Sequence, residues 1–215
     1  MFESMEEMPV WEEGEEILNS VSHAVGFGII LCTALHLILK AQKEKNNLKL
    51  FSYIVFSISM MMLFGTSMVY HAAKEGTEFK KVLRYFDHCS IYLGIAGSYT
   101  PAVLGTLDKS MGIFLFTVEW LLTIIGIFFK ICYFNSFQKY SLYFFIIMGW
   151  VALLALPQMW KKWPKSAFFW VMMEALIYTA GTYFFSHEKK YYHFIWHLAV
   201  IGGAVSHIMC IEFCL

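Results

Sequence analysis

Seven long apolar runs, separated by short charged segments, constrain this chain more than any other feature of its sequence. Five runs carry no charged residue, and the other two carry one glutamate each, Glu119 and Glu174. The runs are Ile17–Leu39, Leu50–Ala73, His88–Thr106, Ser110–Phe129, Tyr140–Trp160, Ser166–His187 and Tyr191–Ile211. Each run is close to the ~20 residues that a helix needs to cross ~30 Å of hydrocarbon. We therefore expect seven transmembrane spans.

The composition supports the same fold class. Hydrophobic residues make up 59% of the 215 residues and charged residues 15%, which is too apolar for a soluble domain of this size. Backbone in lipid must satisfy its own hydrogen bonds, and the ten-residue alternation of a barrel strand is absent. The sequence predicts an all-α integral membrane protein built as a seven-transmembrane helix bundle.

The expected domain organisation is an acidic N-terminal segment, residues 1–16, followed by one membrane domain over residues 17–215. The first segment holds seven Glu and no Lys or Arg, so it lacks the basic region of a cleaved signal peptide. The whole chain has 16 basic and 16 acidic residues, which argues against a nucleic-acid partner. Eight basic residues fall on each predicted side of the membrane, so charge does not set the orientation.

Polar side chains lie near the ends of four predicted spans. Odd-numbered spans begin, and even-numbered spans end, on the side of the membrane that holds the N-terminus. The residues that this order brings to one membrane depth are Asn19, His23, Ser67, His71, Asp87, His193 and His197. Polar groups in a membrane are costly and mostly line an interior cavity or serve function. We expect these seven residues to form one site.

Three histidines within this set have the spacing of a metal site. His193 and His197 are four residues apart, so they project from one helical face, and His71 adds a third imidazole from another span. Three protein ligands with an open position are typical of catalytic Zn²⁺. The alternative is interfacial histidines that hydrogen-bond lipid headgroups or loop carbonyls.

In chain order, these residues resemble the hemolysin III / progestin and adipoQ receptor family. The matching motifs are Glu16-Ile-Leu-Asn19-Ser20-Val-Ser-His23, Ser67-Met-Val-Tyr-His71, Leu83-Arg84-Tyr85-Phe86-Asp87-His88, Ile95-Ala96-Gly97-Ser98-Tyr99-Thr100-Pro101 and His193-Phe-Ile-Trp-His197. The short N-terminus is similar to the bacterial hemolysin III branch. The resemblance implies zinc bound by His71, His193 and His197, with Asp87 reaching the metal through water. It also places the N-terminus in the cytoplasm and the chain in the cell membrane.

Each remaining residue of the site has a functional and a structural interpretation. Ser67 could hydrogen-bond a water or a substrate oxygen, or only pack between helices. Asp87 could orient or deprotonate that water, or cap the N-terminus of the third span. Asn19 and His23 could surround the ligands, or only satisfy a helix end.

Three function classes follow from the resemblance. The first is a zinc-dependent hydrolase of ceramide-like lipid amides or esters, with membrane lipids as partners. The second is a zinc-stabilised receptor or membrane-homeostasis sensor without chemistry, and the third is a pore-forming hemolysin, for which the sequence has no polar channel stripe.

Polar residues outside this set also lie within the spans. Glu119 and Glu174 could belong to a proton path. His207, Cys210 and Cys214 share one helical face, where a soft-metal site and simple packing are both open.

Overall fold

The computed structural model describes residues 11–215, and every long element in that range is a helix. Most of the predicted acidic segment, residues 1–16, therefore lies outside the described residues. The helices are α1 (Glu13–Lys43), α2 (Asn47–Ala72), α3 (Glu78–Thr106), α4 (Lys109–Cys132), α5 (Phe134–Trp150), α6 (Leu156–Lys162), α7 (Lys165–Phe185) and α8 (Tyr192–Cys214), with a 3₁₀ turn at Val151–Ala155 between α5 and α6.

Six helical segments of the described chain are long and apolar enough to cross a membrane. The segment from α5 to α6, Phe134–Lys162, counts as one of them. Helix α3 supplies the seventh member of the bundle; its 29 residues are long enough to span, but charged side chains occupy its first turns. The protein is thus an all-α, seven-helix integral membrane bundle, as the sequence predicts.

Local sequence signals explain where the second and third helices begin. The Asn46 side chain accepts a hydrogen bond from the backbone N–H of Lys49, and Thr77 caps α3 through the N–H of Lys80. Gly76, between these helices, has φ +73°, a left-handed conformation that glycine adopts without steric cost. Helix α3 therefore starts ten residues before the predicted third span. Asp87 lies well inside this helix, so the interpretation of Asp87 as its N-cap is wrong.

The fifth span is broken rather than continuous. Between α5 and α6 the backbone tightens into the 3₁₀ turn, and Pro157 sits in the first turn of α6. The Tyr99 hydroxyl donates a hydrogen bond to the Gly149 carbonyl (2.7 Å) and accepts one from the Ala152 N–H (2.9 Å). One tyrosine of α3 thus satisfies backbone groups at the break, as the low-dielectric membrane interior requires.

The order of packing leaves a cavity inside the bundle. Helix α2 packs against α1 and α3, α3 against α4, and α7 against α8, while α1 also contacts α8. The contact between α5 and α7 is sparse by comparison. A cavity of about 520 Å³ is lined by residues of both these helices and by α2, α3 and α8. The bundle is therefore tightly packed around α1, α2 and α3 and loosely packed between α5 and α7.

Candidate metal centre

Three imidazoles from two helices converge near the N-terminal ends of α1 and α8. His71 comes from the last turn of α2, and His193 and His197 come from the first turns of α8. The Nε2 atom of His193 lies 3.2 Å from the Nε2 atom of His71 and 3.1 Å from that of His197. All three ligand atoms lie within 4.8 Å of one another. The three histidines therefore lie together in the structure, as the sequence predicts.

The other ring nitrogens fix the tautomers of two of these histidines. The Nδ1–H of His71 donates to the Glu16 carboxylate at 2.5 Å, and the Nδ1–H of His197 donates to the Asn19 carbonyl at 3.1 Å. Both acceptors only accept hydrogen bonds, so each neutral ring carries its proton on Nδ1. Their Nε2 atoms consequently present lone pairs to the centre of the cluster.

This arrangement fits a metal ion. The Nε2 lone pairs of His71 and His197 both face the Nε2 atom of His193, so a cation at the centre of the cluster could contact all three nitrogens. In a tetrahedral site with metal–nitrogen bonds of about 2.0–2.1 Å, two ligand nitrogens are about 3.3 Å apart, close to the separations found here. Hydrogen bonds from Nδ1 to a carboxylate and a carbonyl are the usual support for metal-binding imidazoles. The three histidines could therefore hold a metal ion.

Glu16 connects the cluster to a buried cation, and sequence reasoning assigned it no role. Its second carboxylate oxygen accepts a hydrogen bond from the Lys80 ammonium at 2.6 Å, and Lys80 also pairs with Glu75 at 2.5 Å. Glu16 and Lys80 are 7% and 1% exposed. The presence of Glu16 in the first motif was the available signal, since a carboxylate one helical turn before Asn19 faces the same way. Glu16 holds the His71 ring in place and balances the charge of Lys80.

Asn19 and His23 both contact the cluster through His197. The His23 ring stacks on the His197 ring with centroids 3.7 Å apart, and it makes a T-shaped contact with Phe64. Asn19 takes part through its backbone carbonyl rather than its side chain. Ser22, which the sequence did not single out, lies with its hydroxyl 3.2 Å from Nδ1 of His197. Three residues of α1, Asn19, Ser22 and His23, therefore contact the imidazole of His197.

Ser67 and Asp87 lie beside the three histidines and hydrogen-bond to each other. Both line the cavity, as do His23, His193 and His197. Ser67 lies one helical turn before His71 on α2, and Asp87 faces it from α3. The structure thus collects all seven predicted residues at one end of the bundle, on α1, α2, α3 and α8.

The glutamates and the His207–Cys210–Cys214 face that the sequence also singled out are not part of the group of three histidines. Glu119 is fully buried, and neither carboxylate oxygen has a hydrogen-bond partner among the described residues. Glu174 accepts a hydrogen bond from Nδ1 of His207 at 2.9 Å. Cys210 contacts Cys214 one turn along α8, with no third ligand grouped beside them in the described chain. Packing is therefore the better interpretation of the two cysteines.

Replacing Glu16 with glutamine is expected to weaken metal binding by about 10- to 100-fold, the usual effect of losing a partner of a metal-binding histidine. The amide keeps the shape of the carboxylate but carries no negative charge, so it interacts less strongly with the Nδ1–H of His71 and with the Lys80 ammonium. The measurement is a competition titration of the purified protein with a zinc chelator. The matched control is Glu12→Gln, because Glu12 pairs with Lys190 at the surface. Equal affinities in Glu16→Gln and the wild type would contradict this role.

Comparison with known proteins relates nearly the whole chain to one family. The family model described as Haemolysin-III related matches residues 12–208. The chain belongs to this family. The haemolysin-III-related match includes every residue of the histidine cluster and reaches from the start of α1 into α8.

Individual relatives of this haemolysin-III-related chain include bacterial and animal proteins. It is 34% identical to Hemolysin-3 from Bacillus cereus over 93% of this chain and 91% of that protein. It is 30% identical to the Hemolysin-3 homolog of Bacillus subtilis over 93% of both chains. It is 28% identical to the human monocyte to macrophage differentiation factor over 73% of this chain and 67% of that one. No solved structure matches the chain.

Proposed function

We propose that this protein is an intramembrane zinc protein that hydrolyses lipid amides or esters of the ceramide type. The observation that carries the proposal is the convergence of three Nε2 atoms, two of them with their Nδ1 protons held by Glu16 and Asn19. A set of three neutral imidazoles suits Zn²⁺ and is typical of catalytic rather than structural zinc sites, which mostly have four ligands. His71, His193 and His197 are the proposed ligands.

The residues around the ligands have the chemistry that hydrolysis needs. When bound, Zn²⁺ supplies Lewis-acid chemistry: it polarises a carbonyl and makes water a competent nucleophile near neutral pH. Asp87 is the proposed general base that accepts a proton from the attacking water. Ser67 donates its hydroxyl hydrogen to Asp87 and so orients the carboxylate.

The cavity supports a lipid as the substrate. Its wall beyond the histidines is mostly apolar and includes Leu142, Phe145 and Ile146 of α5 and Val171 and Ala175 of α7. Helices α5 and α7 make little contact with each other, so a lipid can enter sideways from the bilayer. An amide or ester next to the acyl chain would then lie at the histidines while the chain occupies the apolar part.

The test is a turnover assay in lipid nanodiscs with ceramide-like amides and lysolipid esters. Zinc-loaded wild-type protein is expected to release fatty acid faster than the same protein stripped of metal by a chelator, and zinc added back should restore the rate. Zinc is quantified in every sample. A zinc-loaded protein that never exceeds the stripped control across both substrate classes would overturn the hydrolase proposal.

A second candidate is a non-catalytic receptor or membrane-homeostasis sensor in which zinc acts as a clip. It is favoured by the origin of the cluster: the ligands join α2 to α8, and Glu16 of α1 supports them. This candidate predicts zinc-dependent stability and lipid binding without turnover. A pore, which the name of the Bacillus cereus relative suggests, fits less well because the cavity lining is mostly apolar.

For localisation, we propose the cell membrane with a cytoplasmic N-terminus. The charge distribution is balanced, so this orientation rests on the family resemblance alone.

A further inference from the structure

A second polar group lines the same cavity, far from the histidine cluster. Glu174 of α7 and His207 of α8 both belong to the cavity wall, and they pair through a hydrogen bond of 2.9 Å. His207 lies ten residues after His197 on one helix, which is about 15 Å along the axis. The cavity therefore has polar groups at two depths, with an apolar region between them.

The region between the two polar groups is apolar on several sides. Met60 and Leu63 of α2 and Val200 of α8 line it, and Ile95 of α3 adds to it. A ligand that reaches from the histidines to Glu174 must therefore be long and apolar in its middle. A hydrocarbon chain satisfies this requirement.

The Glu174–His207 pair retains capacity to bind a ligand. The Glu174 side chain is 15% exposed and the His207 side chain 7%, and both line the cavity. The pair uses one oxygen of the carboxylate, and a carboxylate can accept several hydrogen bonds. A hydroxyl group that arrives in this apolar surrounding gains a charge-assisted hydrogen bond there.

We propose that Glu174 and His207 form a subsite for a hydroxyl group carried on the lipid chain, about 15 Å from the group held at the histidine cluster. This inference rests on the proposed function, because it assumes that the polar end of a lipid occupies the histidine end of the cavity. It makes the preferred substrate a lipid whose acyl chain is hydroxylated beyond its middle, about two-thirds of the way along a chain of the length of stearate. Plain chains fit the same cavity but leave the Glu174 carboxylate with its His207 hydrogen bond and no ligand hydroxyl.

The experiment compares two fatty acids in competition against a fluorescent fatty acid bound to the wild-type protein in nanodiscs. Stearate is compared with a mid-chain hydroxystearate, whose hydroxyl lies about two-thirds of the way along the chain from the carboxylate, as a spacing of about 15 Å requires. We expect hydroxystearate to bind roughly tenfold more tightly, the effect of one hydrogen bond to a charged group. The ratio of the two affinities is the readout, because a merely structural role of the pair would change both affinities together.

In Glu174→Gln the ratio is expected to fall toward one while stearate binding is retained, and His207→Phe gives a second, independent loss of the ratio. The matched control is Glu119→Gln, a buried glutamate of α4 that is not part of the cavity wall. A hydroxystearate with its hydroxyl next to the carboxylate should be insensitive to Glu174→Gln.

The outcomes separate this inference from the proposed function. Equal binding of stearate and mid-chain hydroxystearate, or a ratio that survives Glu174→Gln, overturns the subsite and leaves the lipid cavity intact. Failure of both fatty acids to displace the fluorescent probe overturns lipid binding in the cavity and the subsite with it. Zinc-dependent turnover is measured separately, so loss of turnover with a preserved ratio counts against hydrolysis alone.

Discussion

Replacing His197 with alanine is expected to remove the bound zinc, from one ion per chain to essentially none. Its Nε2 atom lies 3.1 Å from that of His193, and the residue is 2% exposed, so it is a buried member of the ligand set. Loss of one of three ligands leaves a site that cannot close around the ion. The measurement is elemental analysis of the purified protein after dialysis against trace zinc.

The same substitution should lower thermal stability, because an ion that binds only the folded state stabilises it. At a zinc concentration of 100 to 1,000 times the dissociation constant, the stabilisation is about 3–4 kcal/mol. For a chain of this length that corresponds to roughly 5–15 °C in Tm. A chelator should produce the same decrease in the wild type and no further decrease in His197→Ala.

The matched control is His36→Ala. His36 is also a histidine of a membrane span, but it pairs with Glu212 at 3.1 Å, and 62% of its side chain is exposed. This variant should keep its zinc and its response to the chelator. Retention of the full zinc content in His197→Ala together with His193→Ala would show that the metal is held elsewhere.

Replacing Asp87 with asparagine is expected to leave zinc bound and to lower turnover by about 10²–10⁴-fold, the usual cost of removing a general base. Asparagine keeps the shape and can still bond to Ser67, but it cannot accept a proton from water. Zinc content and the rate of fatty-acid release are measured on the same samples. The Tm should change little compared with the change in rate.

Asp108→Asn is the matched control for this comparison. Asp108 is an aspartate at the start of α4, where it pairs with Lys162 at 2.6 Å and lies at the surface. Its substitution should leave the rate unchanged. Equal turnover of Asp87→Asn and the wild type would keep the hydrolase and remove Asp87 as the base, whereas absence of turnover in all samples would favour the zinc clip.

The histidine cluster was predictable because two simple rules operate on it. The spacing of His193 and His197 places them on one helical face, and the alternating direction of the spans brings His71 to the same membrane depth. Neither rule requires knowledge of which helices are neighbours. The seven-helix bundle was predictable for a similar reason, since length and apolarity decide whether a segment spans.

The contacts that support the cluster depend on packing and could not be predicted in the same way. Glu16 meets His71 across 55 positions of sequence, and Lys80 meets Glu16 across 64. The sequence predicts the glutamate-rich start of the chain as a segment separate from the membrane domain, yet Glu15 and Glu16 are buried in α1. Only the packing of α1 against α2 and α8 determines which of several glutamates becomes a partner of the cluster.

The burial of Lys130 is a second feature that depends on helix packing and could not be predicted from the sequence. Beside the predicted fourth span it reads as a flanking surface charge, but it is 0% exposed and lies over the Phe134 ring at 4.1 Å. Its ammonium hydrogen-bonds Gln138 and Ser141 of α5. The sequence pattern gives the charge but not the polar groups of the next helix that make its burial tolerable.

The position of the ligands along the chain has a consequence for how the protein is made. Helix α2 is synthesised early and α8 after all the other described helices. His71 is therefore the one member of the three-histidine cluster in the membrane while five further spans insert. The cluster comes into existence only when the last of these helices has reached its place beside α1. A chain that stalls before that step offers a metal one histidine instead of three. Stable metal retention would therefore mark the molecules whose insertion is complete.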